Sequence, residues 1–366
     1  MQYKSFQNVS ISRLGMGNMR LPVLDEEGQP IDYDKAKAII DQAVRSGINY
    51  FDTAYIYHGG ESECFVGKAL ADYPRESYYV ADKFNLDANP DYRAEFAEQL
   101  NRLGMEFIDF YLLHGIGDHN ADRFIDNGCI AYFDGLKREG KIRWFGFSFH
   151  GSPDTLRRLL PVYPWDFVQI QLNYYDWYFG TAKEQYEILT AAGIPVMVME
   201  PVHGGMLAKL NDETAAMLKA AAPERTLASW AMRWVLGLKN VQVVLSGMSD
   251  LDQLTDNVNT FSENRPLTEK EQQLVERMVN IFRNDVSVPC TACRYCCPNC
   301  PAGLDIPKLM SAYNEARIGG AWRLASLKAL PEDRRPAACI GCGSCNRHCP
   351  QQIDVPKYMH EMADMM

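Results

Sequence analysis

At 366 residues, 47% hydrophobic and 23% charged, the chain has room for one large α/β domain and one small module. Its formal net charge of −10 argues against the basic face that a nucleic-acid partner requires. No apolar run approaches the roughly 18 residues of a membrane span, and the N-terminal MQYKSFQNVSISRLG lacks a basic segment followed by an apolar one, so no export signal and a cytoplasmic location are expected.

Short apolar runs alternate with amphipathic helical stretches along most of the chain, the pattern of parallel βα units. The expected strands are Ile11–Gly15, Asn49–Thr53, Tyr78–Lys83, Ile108–Leu113, Arg143–Ser148, Phe167–Leu172, Pro195–Met199 and Val241–Ser246. Between them run helical stripes: Ala36, Ile39, Ile40 and Ala43 before Gly47; Phe96, Leu100 and Leu103; Ile130, Phe133 and Leu136; Tyr186, Leu189 and Ala192. Eight strands with intervening helices predict a closed (β/α)8 TIM barrel over residues 1–284. A connecting helix should begin near Thr268, with Leu274, Val275, Met278 and Ile281 as its apolar stripe. Residues 285–366 then form a second, small domain.

That second domain carries the densest chemistry. Nine of eleven cysteines fall between Cys290 and Cys349, and eight of them form two copies of C-x2-C-x2-C-x3-C before proline. The copies are Cys290, Cys293, Cys296 and Cys300, then Cys339, Cys342, Cys345 and Cys349. A [4Fe–4S] cube needs four thiolates converging from different directions, and in two-cluster modules the last cysteine of each run ligates the other cube. Cys290, Cys293, Cys296 and Cys349 are therefore assigned to one cluster, and Cys339, Cys342, Cys345 and Cys300 to the second. A zinc site would favour separated C-x2-C knuckles, and a disulfide framework lacks its secretory context. Cys297 is left over; Cys64 and Cys129 read as small buried hydrophobes. The 38-residue insert from Pro301 to Ala338, with a helix expected at Ile306–Arg317, resembles the α-helical type of ferredoxin module.

Barrel enzymes present catalytic groups at the carboxyl ends of their strands. There stand Asp52, Lys83 and His114, with Tyr57 five residues beyond Asp52. Together these residues can act as a proton donor: an ammonium beside a phenol stabilises the phenolate, Asp52 holds the ammonium, and a histidine orients a carbonyl oxygen or shuttles a proton.

At this point SRLGMGNMRLP (12–22), NYFDTAYIYHGGESE (49–63), VADKF (80–84), FYLLHG (110–115), GFSFHG (146–151) and QIQLN (169–173) strongly resemble the aldo-keto reductase family over roughly residues 1–260. The resemblance implies Tyr57 as general acid, Lys83 and Asp52 as its tuning pair, His114 as the group that positions a small-molecule carbonyl, and NAD(P)H as hydride donor. It also places Ser148 and Gln169 near the nicotinamide carboxamide and Asn257 near the adenine. Met199 stands where the family stacks a tyrosine on the nicotinamide. Around Gly247, Met248 and Asp250 the local sequence offers no Lys or Arg for a 2′-phosphate, which speaks against NADPH.

A cube passes single electrons whereas a nicotinamide gives a hydride, so the two halves do not simply feed one another. Four readings follow: a nicotinamide-dependent carbonyl reductase whose clusters serve an external carrier; a flavin at the barrel mouth converting one-electron to two-electron chemistry; direct reduction by the clusters; and a non-catalytic electron carrier. The intact tetrad favours the first.

Overall fold

The computed structural model describes residues 1–25, 30–288, 290, 292–349 and 351–366; Pro350, which follows the second cysteine run, lies outside them. The strands are β1 (Tyr3–Phe6), β2 (Val9–Ser12), β3 (Leu14–Gly17), β4 (Tyr50–Asp52), β5 (Tyr79–Phe84), β6 (Ile108–Ile116), β7 (Ile142–Phe149), β8 (Phe167–Gln171), β9 (Val196–Met199) and β10 (Val241–Ser246). Strands β3 to β10 close into an eight-membered barrel in sequence order, β10 pairing in parallel with both β3 and β9. By contact, the described residues fall into two compact units, residues 1–201 with 228–272 and residues 202–227 with 273–366.

The first barrel strand departs from expectation. Ile11 belongs to an antiparallel hairpin, β1 with β2, and the barrel begins only at Leu14. Alternation carried by Val9 and Ile11 resumes out of phase at Leu14 and Met16, so a one-residue slip at Ser12-Arg13 is all that divides the two elements in the sequence. The hairpin delivers Phe6 and Ile11 into a buried cluster with the inward residues Tyr50, Phe110, Trp144 and Phe167. Phe6 packs edge-on to Trp144, with ring centroids 5.4 Å apart.

Most helical stripes are buried as the 3.6-residue period requires. Ala36, Ile39, Ile40 and Ala43 face inward on the helix Tyr33–Arg45, which Asp32 caps by accepting from Lys35 N. Ala192 is exposed instead, because its helix ends at Ala191. On the helix Glu269–Val286 the buried face is Val275, Met278, Val279 and Phe282, with Leu274 and Ile281 only half-buried at its margins. Helices Glu61–Leu70 and Tyr92–Leu103 approach backbone to backbone: a Cβ on Gly67 would lie 2.3 Å from the Leu103 carbonyl oxygen, so only glycine permits the contact.

The second unit has its own core, built on Ile306, Leu309, Met310 and Tyr313 of the helix Ile306–Gly319 and on Val355, Met359 and Met362 of the helix Val355–Asp364. Both helices carry proline in their first turn, where a missing N–H costs nothing. Asn314 clamps Val288 through paired hydrogen bonds of 2.7 and 2.9 Å, fixing the chain just ahead of the first cysteine run. The turn His203–Ala208 and the helix Asp212–Ala221 also belong to this unit, and the turn packs against the helix Ile306–Gly319. Among the described residues no helix is long and apolar enough to cross a membrane.

Candidate functional site

Strand geometry collects the expected tetrad. Asp52 ends β4, Lys83 lies near the end of β5 and His114 near the end of β6, and adjacent parallel strands pair Asp52 with Ala81 and Lys83 with Leu112. Tyr57 opens the turn Tyr57–Gly60 after β4. There His58, Gly59 and Gly60 all take left-handed backbone, with φ of 50°, 62° and 92°.

Lys83 is fully buried, and its three ammonium hydrogens meet three acceptors: Asp52 Oδ1 at 2.7 Å, the Thr53 carbonyl at 2.5 Å and Tyr57 Oη at 3.4 Å. The Tyr57 oxygen thus accepts from lysine and keeps its own hydrogen to donate. His114 stands edge-on to the Tyr57 ring, centroids 6.0 Å apart.

Burial works against the Lys83 ammonium, but Asp52 and Tyr57 more than offset it and hold its pKa above the ordinary value. Burial also raises the Tyr57 phenol; Lys83 pulls it down without overcoming that effect. The expected lowering by the ammonium is present as one opposing influence, and the phenol stays protonated at neutral pH. His114 is pushed well below the usual imidazole range by burial, with Lys83 and His150 adding to the effect, so it is neutral.

A buried polar layer behind the tetrad has no motif that could announce it. Gln99 donates to Glu63 Oε1 at 3.1 Å and to the Lys83 carbonyl at 3.0 Å, and accepts from Tyr111 Oη at 2.6 Å. Arg102 pairs with Glu63 at 2.8 Å. Burial, with the neighbouring Glu63 adding to it, pushes Asp82 well above the usual carboxylate range. Burial lifts Glu95 to about 8, and its Oε1 accepts from Asn85 N at 2.7 Å. Asn85 in turn reaches His114 Nδ1 at 3.3 Å.

The expected cofactor contacts divide. Gln169 is buried, its Nε2 lying 3.6 Å from Met199 Sδ, and its Oε1 has no partner among the described residues. An unpaired buried acceptor beside a thioether fits an incoming carboxamide N–H and an aromatic ring face. Ser148 accepts from Gly115 N at 2.8 Å and keeps its O–H to donate. Asn257 is turned inward: it is 4% exposed and donates to Ser246 Oγ at 3.0 Å, which ties the helix Leu251–Glu263 to the end of β10.

Around Gly247 the fold adds a basic residue that the local sequence lacks. Arg20, from the turn after β3, lays its stem 3.2 to 3.5 Å from where a Gly247 Cβ would stand, and its carbonyl accepts from Ser249 Oγ at 2.8 Å. The strand end therefore has the exposed Arg20 packed beside it, drawn from 227 residues away in the sequence. Asp250 caps its helix, accepting from Gln253 N at 2.8 Å.

In the second unit Cys300, Cys339, Cys342 and Cys345 line one small, partly open cavity. Four thiols from two distant segments around one space fit the donor set of a cube. Cys290 lies close enough to Cys296 to influence it electrostatically, and Cys290, Cys296, Cys297 and Cys349 pack on the same apolar core. Cys129 is buried as expected, whereas Cys64 is half-buried.

Residues 13–280 match the model of the aldo/keto reductase family. The chain belongs to that family. Residues 289–353 match a 4Fe-4S dicluster domain, so in this aldo/keto reductase such a domain follows the barrel in the sequence. It is 29% identical over 272 residues to L-galactose dehydrogenase of Arabidopsis thaliana, covering 68% of this chain and 84% of that one. It is 26% identical over 319 residues to the NADH-specific methylglyoxal reductase of Escherichia coli (strain K12), covering 74% and 95%. The holo form of aldo-keto reductase AKR11C1 from Bacillus halodurans superposes with a TM-score of 0.63 at 28% identity, covering 76% of this chain and 96% of that one. Family and relatives make this aldo/keto reductase an oxidoreductase.

Proposed function

We propose that the barrel reduces a small aldehyde or ketone, with Tyr57 as general acid. The observation that carries this is the Lys83 ammonium bonded at once to Asp52 and to the Tyr57 oxygen, with His114 against the phenol ring. Tyr57 donates its hydrogen to the carbonyl oxygen as negative charge develops there. The resulting phenolate is stabilised by Lys83, whose own charge Asp52 neutralises. Neutral His114 orients the carbonyl as a hydrogen-bond donor. Bound reduced nicotinamide supplies the hydride, and Gln169, Ser148 and Met199 are the residues that would hold its ring. The name of the Escherichia coli relative supports NADH as the coenzyme, and Arg20, whose stem packs beside Gly247, would offer a phosphate contact to either nicotinamide.

The eight cysteines of the two runs hold two [4Fe–4S] clusters in this proposal, with Cys300 joined to the second run, and the clusters exchange single electrons with an external carrier. The cavity shared by Cys300, Cys339, Cys342 and Cys345 supports that crossed assignment. The test is Tyr57→Phe in anaerobically purified protein. Carbonyl reduction should fall by at least about a hundredfold while cluster absorbance stays unchanged. Undiminished turnover by the variant overturns the role given to the phenol.

A further inference from the structure

We propose that Asn85, a residue to which neither the motifs nor the family match gives a role, is a positioning residue that locks His114 in the tautomer carrying its proton on Nε2. The proposal rests on the carbonyl-reductase reading and adds the device that makes His114 a donor. Asn85 directly follows β5, two residues after Lys83. Its Oδ1 is committed to the turn that follows, accepting from Asp87 N at 3.1 Å and Ala88 N at 2.9 Å. That commitment fixes which way the amide faces. The Nδ2 group is left toward His114 Nδ1, 3.3 Å away. An NH2 group can only donate, so Nδ1 must offer a lone pair, and a neutral imidazole then carries its hydrogen on Nε2.

The surroundings favour the neutral ring. Lys83 on β5 and His150 after β7 both disfavour a second positive charge on His114, and Tyr57 faces its ring from the loop after β4. Asp52, the carboxylate of the tetrad, is spent on Lys83. A histidine held in this state can donate to a carbonyl oxygen but cannot supply a second proton, which leaves Tyr57 as the sole acid. The backbone of Asn85 is held as well, its N–H donating to Glu95.

The discriminating variant is Asn85→Asp. It is isosteric and keeps an oxygen for Asp87 N and Ala88 N, so the turn survives, but it places an acceptor opposite Nδ1. The proton is then drawn onto Nδ1, and protonation of the ring is favoured. Histidine nitrogen spectra of the isotope-labelled, cluster-loaded protein, assigned by the loss of one signal pair in His114→Asn, read the tautomer directly. In the wild type, Nδ1 should be pyridine-like and Nε2 pyrrole-like across the neutral range. In Asn85→Asp the pattern should invert and a titration should appear. Carbonyl reduction by the variant should fall as pH rises through that titration, reaching a loss of about a hundredfold once Nε2 no longer carries a proton. The thermal midpoint should stay at the wild-type value.

A pyrrole-like Nδ1 in the wild type overturns the proposal. So does an Asn85→Asp protein with wild-type spectra and pH profile. If the wild type reduces no carbonyl at all, the reading of the barrel fails, and the spectra still decide the tautomer.

Discussion

Replacing Lys83 with methionine removes the one group that touches both halves of the proposed acid. The stem is replaced at nearly equal volume, so packing changes little and the loss is electrostatic. Three bonds vanish together, to Asp52, to the Thr53 carbonyl and to Tyr57. Asp52 is 3% exposed and its Oδ2 has no partner among the described residues, so the variant leaves a buried carboxylate with no counter-charge. Breaking such a pair costs about 3–5 kcal/mol. Burial already pushes the Asp52 carboxyl above its ordinary pKa, so Asp52 should take up a proton and recover part of that cost. Catalysis should suffer separately: without an ammonium beside the developing phenolate, kcat should drop by about a hundred- to a thousandfold, the range for losing one charge-stabilising contact in a buried site. The two effects are separable in the double variant Asp52→Asn with Lys83→Met. It carries no unpaired charge, so its thermal midpoint should return toward that of the wild type while its activity stays lost. Steady-state reduction of a simple aldehyde and thermal unfolding, both under anaerobic conditions, measure the pair. A Lys83→Met protein within about threefold of wild-type kcat, or a double variant no more stable than the single one, would refute the reasoning.

Glu95 should make stability depend on pH. Its pKa is about 8 in the fold and about 4.3 in the unfolded chain. Between these values the unfolded state has released a proton that the native state retains, so stability should fall as pH rises, by up to about 1.4 kcal/mol per unit. Thermal midpoints measured across that window should show a slope that Glu95→Gln reduces by one proton's worth; an identical slope contradicts the assignment. Arg20→Ala should raise KM for the nicotinamide about tenfold with kcat little changed, because a charge-assisted phosphate contact is worth about 1.5–3 kcal/mol; unchanged KM for both NADH and NADPH refutes the contact. Cys300→Ser should disturb the cluster held with Cys339, Cys342 and Cys345, so iron and sulfide analysis should find roughly half the metal gone and the signal of the remaining cluster intact. Phe6→Ala should destabilise the barrel by about 3–5 kcal/mol in thermal or denaturant unfolding without changing the cluster content.

Much of the molecule was legible because its information is local. Strand and helix periods announce themselves over a few residues, and seven of the eight expected barrel strands lie within a residue or two of the observed ones, except that β6 runs on to Ile116. The first strand is harder to place because only a one-residue slip in the alternation, at Ser12-Arg13, separates the hairpin from β3. The tetrad was visible as an ordered set at strand ends, since the barrel repeats one geometry at each βα unit. Cysteine spacing likewise encodes the pattern of a cluster module within two short segments.

What the chain could not state locally was anything set by residues meeting across the fold. Arg20 reaches Gly247 because β3 and β10 are neighbours only when the barrel closes. Asn85 meets His114 because β5 and β6 lie side by side, and Glu63, Asp82 and Glu95 share one interior because three helix and strand faces converge there. The sign of the Tyr57 shift belongs to this class as well. A neighbouring ammonium can be read from the order of residues, but the desolvation that outweighs it depends on how much protein surrounds the phenol, and that only tertiary packing decides.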